Sequence, residues 1–397
     1  MNPDTPLELL GGRTPADFMR RYWQRQPLLI RQAIPAFKPP LTVAAVKRLA
    51  RQDEVESRLI WREGKDWHME RGPFSRLPKD SEGDWTLLVQ GVDLHNELAA
   101  ELMHRFRFIP DARLDDMMVS IATAGGGVGP HFDSYDVFLL QAVGQRRWRI
   151  GKQRDLGLQP GLPLKILSRF EPQADYVLDP GDMLYLPPQI AHDGVALGPC
   201  MTLSVGFRAP DRATLARGML EAAADQVMSR AGLPSGPYGD PPLPGPALRG
   251  LYRDPGQPAT PHPAALPDAL VQSALDAVAR VRFDETLASR FLGCWLTEPA
   301  QAAVFDAGTD TSSWDTAWPA QGGFRLDRRT RMLYRGKQVF INGEAAEVLA
   351  SASLRRLADT RVLRCADPAF QRLTQSEREC LRQWVEDGWV TYDADLR

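Results

Sequence analysis

The sequence predicts an α+β protein in which a small β-barrel is flanked by helical segments. Between about Leu114 and Arg208, short runs rich in β-branched and aromatic residues alternate with turns of Gly, Pro and Asp, a pattern typical of a barrel or sandwich. Mixed helical and extended patterns precede this region, and a helical stretch, a Pro- and Gly-rich segment and a compact tail follow it. The 397 residues allow two or three domains.

Composition and charge are those of an ordinary globular protein. The chain is 43% hydrophobic and 25% charged, and its formal net charge of −2 provides no global positive field for nucleic acid or anionic membranes. The four cysteines lie far apart without a Cys-x-x-Cys pair, which argues against a disulfide framework and a structural zinc knuckle. Because neither a signal peptide nor a membrane-spanning apolar stretch is evident, we expect a cytoplasmic protein with no membrane partner.

The N-terminal region begins with a predicted helix. From Thr14 onward, apolar residues that include Phe18 and Tyr22 recur at helical spacing, and Pro27 ends the pattern before the strand-like residues 28–30. Aromatic residues in such a stripe belong more often to a core than to a ligand surface.

A pair of histidines and one aspartate form the most informative pattern of the chain. His131 and Asp133 stand two residues apart on a predicted strand, so their side chains would point to the same side. A run of glycines precedes them, and His192 follows a Pro-Gly-Asp turn and the apolar run 183–186. Two imidazoles and one carboxylate are the facial set that binds iron(II) with positions left open. Zinc fits less well, because thiolate ligands at finger spacing are absent.

An oxygenase of this kind that uses a 2-oxo acid needs a fixed cation for the distal carboxylate. Arg146 begins a predicted strand after the turn 143–145, and its planar guanidinium matches a carboxylate in a bidentate manner. Ser120, on an upstream strand, is placed to add a hydrogen bond to the same carboxylate. An exposed hairpin arginine is the alternative interpretation of Arg146.

Three further residues are candidate substrate contacts. Asp116 and Met118 share a strand face with Ser120, and a buried carboxylate at position 116 would pair with a cationic substrate side chain. Tyr135 follows the ligand pair and would stack on such a side chain. A purely structural role fits Asp116, Met118 and Tyr135 equally well at this point.

The C-terminal half divides into three stretches. Residues 213–230 are helical in pattern, with Leu215, Met219, Leu220 and Ala223 near one face, and residues 231–268 form a Pro- and Gly-rich connector. Residues 283–397 combine a hairpin-like segment with helices, which suggests a winged-helix-like unit. Its mixed charges favour a protein-contact or structural role over nucleic-acid binding.

Several segments together resemble the bacterial ribosomal oxygenases, which are JmjC-type, cupin-related proteins. The similarity is to the branch that hydroxylates an arginine of a large-subunit ribosomal protein. It is carried by residues 22–30, the block 125–133 with 135–138, the strand 146–149, residues 180–182 with 186–188 and His192, and residues 204–210.

The resemblance implies a double-stranded β-helix that binds iron(II) and 2-oxoglutarate. The implied domains are a catalytic domain over 1–210 with its barrel core at about 114–208, a helical dimerisation region over 211–282, and a winged-helix domain over 283–397. A ribosomal protein substrate and a homodimer are the implied partners.

The resemblance also assigns roles to residues of the chain. His131, Asp133 and His192 are the expected metal ligands and catalytic residues. Arg146, with Ser120, is expected to bind 2-oxoglutarate. The expected contacts of an arginine substrate are Asp116, Met118 and Tyr135.

Two alternatives remain at this stage. A metal-bearing cupin-like module without oxygenase activity would not need Arg146. A metal-dependent cupin isomerase or a dioxygenase without a 2-oxo acid would keep the three ligands but not the distal cation.

Overall fold

A computed structural model describes residues 2–306, 308–315 and 318–396. The chain forms two compact units, which divide between Ala209 and Pro210. The four cysteines are free thiols. Within the described part of the chain, none of the helices is both long and apolar enough to cross a membrane.

The first unit is built mainly from antiparallel strands. After a 3₁₀ turn at Glu8–Leu10, its helices are α1 (Pro15–Arg21), α2 (Val43–Leu49), α3 (Val92–His95) and α4 (Glu97–His104). Its strands are β1 (Leu28–Ile30), β2 (Ser57–Glu63), β3 (Asp66–Arg71), β4 (Trp85–Val89), β5 (Leu114–Ala122), β6 (Val137–Val143), β7 (Arg146–Gly151), β8 (Ala174–Leu178), β9 (Met183–Leu186), β10 (Ala191–Ala196) and β11 (Cys200–Phe207).

The strands of this unit form two sheets of unequal size. The large sheet has the order β1-β9-β6-β11-β5-β4-β2-β3, and the small sheet has the order β10-β7-β8. Strand β6 shows how the layers pack, because its successive side chains enter different cores. Phe138 belongs to the aromatic core with Phe18 of α1, whereas Val137 and Leu139 pack with Trp148 of the small sheet. This is the antiparallel arrangement of a JmjC/cupin-like fold.

Local sequence explains the first predicted helix. Thr14 accepts a hydrogen bond from the backbone N–H of Asp17, and Pro15 occupies the first turn, where a missing N–H costs nothing. Phe18 is fully buried, as a core aromatic should be, and the chain enters β1 directly after Pro27. The predicted helix and strand are therefore confirmed.

The second unit combines helices with short strands. Its helices are α5 (Arg212–Ala231), α6 (Asp268–Ala279), α7 (Glu285–Thr297), α8 (Ala352–Thr360), α9 (Pro368–Gln371) and α10 (Gln375–Glu386), with a 3₁₀ turn at Ser312–Asp315. Its strands are β12 (Gly323–Leu326), β13 (Met332–Arg335), β14 (Gln338–Ile341), β15 (Glu344–Ala345), β16 (Val362–Arg364) and β17 (Val390–Asp393), in the sheets β16-β12-β17 and β13-β14-β15.

Two local predictions are wrong. His131 forms only an isolated bridge with His192, and Asp133 lies in a loop, so the pair does not share a strand. Gly129 and Pro130 prevent a regular strand here, because Gly129 has a φ of +75° and Pro130 lacks an N–H. Leu220 was expected near the same face of α5 as Leu215, Met219 and Ala223, but those three pack in one core cluster whereas Leu220 is 61% exposed.

Candidate metal centre and substrate cavity

Backbone pairing between two segments places the predicted metal ligands. His192 lies on β10, and its backbone exchanges two hydrogen bonds with the backbone of His131. The N–H of His131 donates to the carbonyl oxygen of His192 at 2.9 Å, and the N–H of His192 donates to the carbonyl oxygen of His131 at 2.8 Å. The loop that follows is held by a hydrogen bond of 2.8 Å from Gln189 N to Asp133 O. This pairing brings a loop residue to the two histidines even though no continuous strand joins Asp133 to His131.

The three side chains converge on one point. One ligand atom from each of His131, Asp133 and His192 can be chosen so that all lie within 4.8 Å of one another. The Nε2 of His192 is 3.6 Å from Oδ2 of Asp133, and the two imidazole centroids are 4.2 Å apart. A single ion between the three groups would therefore contact all of them.

Both imidazoles are oriented by backbone carbonyls. The Nδ1 of His131 is 2.9 Å from Gly129 O, and the Nδ1 of His192 is 2.9 Å from Ile190 O. If each Nδ1–H donates to its carbonyl, each Nε2 presents a lone pair to a metal. Burial, followed by the neighbouring His131, lowers the pKa of His192 to about 4, so that ring is neutral at pH 7. Two imidazoles and one carboxylate fit iron(II).

Gly129 permits the close approach that precedes the first ligand. A Cβ at this position would lie 2.7 Å from Cδ1 of Ile166 and 2.8 Å from the Trp67 ring. Both contacts are shorter than van der Waals packing allows, and the positive φ adds backbone strain for any other residue. The glycine run therefore sets the path of the chain into His131.

Arg146 lies beside the three ligands with much of its hydrogen-bonding capacity unused. Its side chain is buried, its Nη1 donates to Ser120 Oγ at 3.0 Å, and its guanidinium lies 5.7 Å from the centroid of the Trp148 ring. Among the residues that the structure describes, Nε and Nη2 have no hydrogen-bond partner. Because an unpaired buried cation is costly, this site fits a carboxylate supplied by a ligand.

Asp116 is held by hydrogen bonds to one of its two oxygens. Its Oδ2 accepts from Gln90 Nε2 at 2.6 Å and from Gly91 N at 3.0 Å, and these bonds fix the carboxylate on β5. Burial, together with the nearby charges of Asp93 and Asp115, raises the pKa of Asp116 to about 7. A cationic substrate group would stabilise the ionised form of such a carboxylate.

Tyr135 lines the cavity close to two carboxylates and one arginine. Its side chain is 39% exposed. Burial raises the pKa of Tyr135, the charges of Asp133 and Asp116 raise it further, and Arg58 lowers it. The phenol is therefore neutral at pH 7 and presents an aromatic face near two carboxylates.

One cavity of about 490 Å³ contains all of the predicted site residues. These are Asp116, Met118, Ser120, His131, Asp133, Tyr135, Arg146 and His192. Their common location is the main structural finding about the site.

The cavity also contains residues that the sequence did not single out. Arg58 and Arg71 enter from β2 and β3, Gln90 directly follows β4, and Lys165 lies on the loop between β7 and β8. The alternating residues around the turn at Gly64 favour a hairpin there. Nothing in that pattern links the hairpin to His131, since the link depends on the pairing of β4 with β5.

Comparisons with known proteins agree with this architecture. The JmjC domain profile matches residues 101–215, and a profile described as a ROXA-like winged helix matches residues 280–391. A probable ribosomal oxygenase of Haemophilus influenzae is 30% identical over 407 residues, which cover 95% of this chain and 96% of that protein. The chain belongs to the ribosomal oxygenase family.

A second relative and two solved structures extend the comparison. The ribosomal protein uL16 3-hydroxylase of Escherichia coli is 41% identical over 229 residues, covering 57% of this chain and 60% of that protein. An X-ray structure of E. coli ycfD superposes with a TM-score of 0.77 at 29% identity, covering 95% of this chain and 98% of the other. A structure of YcfD, a ribosomal oxygenase from E. coli, in complex with cobalt and 2-oxoglutarate superposes with a TM-score of 0.73 at 29% identity. It also covers 95% of this chain and 98% of the other.

The expected family, the JmjC/cupin-like fold and the winged-helix domain are thereby confirmed.

Proposed function

We propose that this protein is an iron(II)- and 2-oxoglutarate-dependent hydroxylase that acts on an arginine side chain of a large-subunit ribosomal protein. The observation that carries the proposal is the buried guanidinium of Arg146, in the cavity that also contains His131, Asp133 and His192. Two of its nitrogens have no hydrogen-bond partner in the part of the chain that the structure describes. A metal-binding module without a 2-oxo acid has no use for such a cation. The YcfD structure that holds cobalt and 2-oxoglutarate supports a metal ion and 2-oxoglutarate as the ligands of this site.

Each residue group has a distinct task in the proposed reaction. His131, Asp133 and His192 would hold the iron through Nε2 atoms and a carboxylate oxygen, with the Nδ1–H groups fixed by backbone carbonyls. Arg146 and Ser120 would bind the distal carboxylate of 2-oxoglutarate. When bound, iron and 2-oxoglutarate activate dioxygen, with release of succinate and carbon dioxide, and the substrate gains a hydroxyl group.

The choice of arginine rests on Asp116. Its Oδ2 is occupied by Gln90 and Gly91, so its Oδ1 remains for a substrate donor. A guanidinium can donate to this oxygen while its planar face lies against Tyr135, and Met118 packs on the aliphatic part of the side chain. These contacts would hold one carbon–hydrogen bond in a fixed position, which is how an active site achieves selectivity.

The test is incubation of the protein with iron(II), 2-oxoglutarate and extracted ribosomal proteins, followed by mass spectrometry. We expect a gain of one oxygen on an arginine, together with stoichiometric succinate. The Asp133→Ala variant, which lacks a ligand, should give neither product, whereas Asp175→Ala on the exposed edge of the small sheet should behave as wild type. Succinate without an oxygen gain on arginine would refute the proposed substrate, and iron binding without succinate would favour a cupin-like binding module.

We also propose the domain division 1–210, 211–282 and 283–397, with the middle region forming a homodimer. Helix α6 supports this, since it has no buried residues although Val271, Leu275 and Val278 lie at helical spacing and are 45%, 59% and 66% exposed. An apolar face of this kind is expected to be covered by another surface. Light scattering should give a dimer for wild type and a monomer for Leu275→Glu. A dimer that persists in this variant would exclude this face from the interface.

A further inference from the structure

Two arginines face each other across the strands β2 and β3 at the wall of the cavity. Arg58 lies directly opposite Arg71 in the antiparallel pairing, and Ile60 lies opposite Met69 one step further along the same face. All four residues line the cavity. Directly opposite residues in an antiparallel pair project to the same side, so both guanidinium groups belong to the cavity wall.

This arrangement places two positive charges side by side at the cavity wall. Among the described residues, neither guanidinium has a carboxylate within ion-pair distance, and Arg58 only donates to Gln90 Oε1 at 3.3 Å. Like charges directly opposite on neighbouring strands are destabilising. An anion from outside the chain would remove this repulsion.

The pairing register fixes how far the two arginines lie from the substrate contacts. Arg58 pairs with Leu88 of β4, and Leu88 pairs with Ser120 of β5. With strands about 4.8 Å apart, the backbones of Arg58 and Arg71 lie about 10 and 14 Å from β5. An extended peptide advances about 3.3 Å per residue, so this span corresponds to about three or four residues, and a lateral reach of about 3 Å by an arginine side chain allows one residue fewer.

The charges near the two arginines favour a single carboxylate over a polyanion. Glu56 and Asp115 also line the cavity and are exposed. Their negative charges would repel a nucleic-acid backbone, which carries a charge on every nucleotide. One carboxylate between two guanidinium groups can be accommodated beside them.

We propose that Arg58 and Arg71 together bind a carboxylate of the substrate polypeptide, carried two to four residues from the side chain that enters the cavity. This inference rests on the proposed function only in requiring that a polypeptide binds in this cavity. It adds a sequence requirement for the substrate, namely an acidic residue close to the modified one.

The test measures peptide binding without iron or 2-oxoglutarate, so it does not depend on turnover. Each labelled peptide has about nine residues, with an arginine or a histidine at its centre. It carries one Glu, or one Gln in the matched control, and the set places this residue in turn at every position two to four residues from the centre. Fluorescence anisotropy should show that one Glu peptide binds about five- to tenfold more tightly than its Gln counterpart, as one charge-assisted contact at a partly exposed site predicts. The Arg71→Gln and Arg58→Gln variants should lose this preference.

A matched variant and a charge exchange separate this contact from a structural effect. Arg62→Gln removes the same charge from the same strand at a site where the guanidinium lies over the Trp67 ring, and it should keep the Glu preference. Arg71→Glu should reverse the preference and favour a peptide with Lys at that position.

Several outcomes overturn the proposal. These are no Glu preference at any position in wild type, an equal weakening of Glu and Gln peptides by Arg71→Gln, or a Glu preference that survives both variants. If a short RNA binds in a way that depends on Arg71 and the Glu peptide does not, Arg58 and Arg71 bind phosphate groups and not a carboxylate. A Glu preference with central histidine but not arginine would support the carboxylate contact while refuting the arginine assignment.

Discussion

Replacement of Arg146 by Met should leave the stability of the free protein unchanged or raise it, and should weaken the binding of 2-oxoglutarate. In the free protein, the change removes a buried guanidinium whose Nε and Nη2 have no partner among the described residues. Replacing such a charge by an apolar side chain of similar length is often neutral or stabilising. In the complex, the same change removes the cation that would bind the distal carboxylate of 2-oxoglutarate.

The expected loss of affinity follows from the two free donors. A hydrogen bond to a charged group contributes about 1.5–3 kcal/mol, so the loss of two such bonds amounts to at least about 3 kcal/mol. Because about 1.4 kcal/mol corresponds to a tenfold change, the dissociation constant should rise more than about a hundredfold.

Thermal unfolding with increasing 2-oxoglutarate, in the presence of a redox-inert divalent metal, measures both effects. At a concentration of about one hundred times the wild-type dissociation constant, the ligand should stabilise wild type by about 2.7 kcal/mol. A hundredfold weaker variant would gain only about 0.4 kcal/mol. Arg147→Met is the matched control, because Arg147 lies on the same strand but is exposed and paired with Asp175.

Two results would refute this reasoning. If Arg146→Met retains the wild-type stabilisation by 2-oxoglutarate, Arg146 does not bind the co-substrate. If the free variant is destabilised by several kcal/mol, the buried guanidinium stabilises the free protein and has a structural role.

Three further predictions concern Asp116 and Gly194. For an arginine substrate, kcat/KM should fall as the pH drops below about 7, because protonation of Asp116 removes the charge that binds the guanidinium; a flat profile down to about pH 5.5 would contradict this role. The pKa of Asp116 is higher in the folded than in the unfolded chain, so the free energy of unfolding falls as the pH rises from about 4 to 7. Each unit of difference between the two pKa values corresponds to about 1.4 kcal/mol. Asp116→Asn should therefore raise the melting temperature of the free protein at about pH 8 but not at about pH 4, and equal effects at both pH values would argue against this linkage. Gly194→Ala places a Cβ 2.5 Å from the Trp148 ring and should destabilise the protein by about 1–3 kcal/mol in thermal unfolding. Gly198→Ala is the control, because the space around that position is open, and it should not destabilise the protein. Equal effects of the two substitutions would show that the Trp148 ring moves freely.

Much of the barrel could be predicted from local sequence. The strands at 146–150 and 183–186 correspond to β7 and β9, since each is a short apolar or alternating run bounded by turn residues. The alternation of Asp116, Met118 and Ser120 on β5 placed three cavity residues on one face. These features depend on neighbours in sequence, and local patterns therefore suffice.

The remaining features of the site depend on long-range pairing. Strands β2 to β4 join the large sheet through the pairing of β4 with β5, and this alone brings Arg58, Arg71 and Gln90 to the cavity. The burial of Arg146, and the lack of a partner for two of its nitrogens among the described residues, also depend on tertiary packing that a sequence does not show. Asp133 reaches the histidines through a loop that strand periodicity did not predict.

Anaerobic titration with iron(II) shows whether His131, Asp133 and His192 bind one ion. Wild type should bind one equivalent of iron(II) per chain, and His131→Ala and His192→Ala should each lower the affinity by at least about tenfold to a hundredfold. Binding of one equivalent with unchanged affinity in both variants would contradict the claim, because the ion would then lie elsewhere.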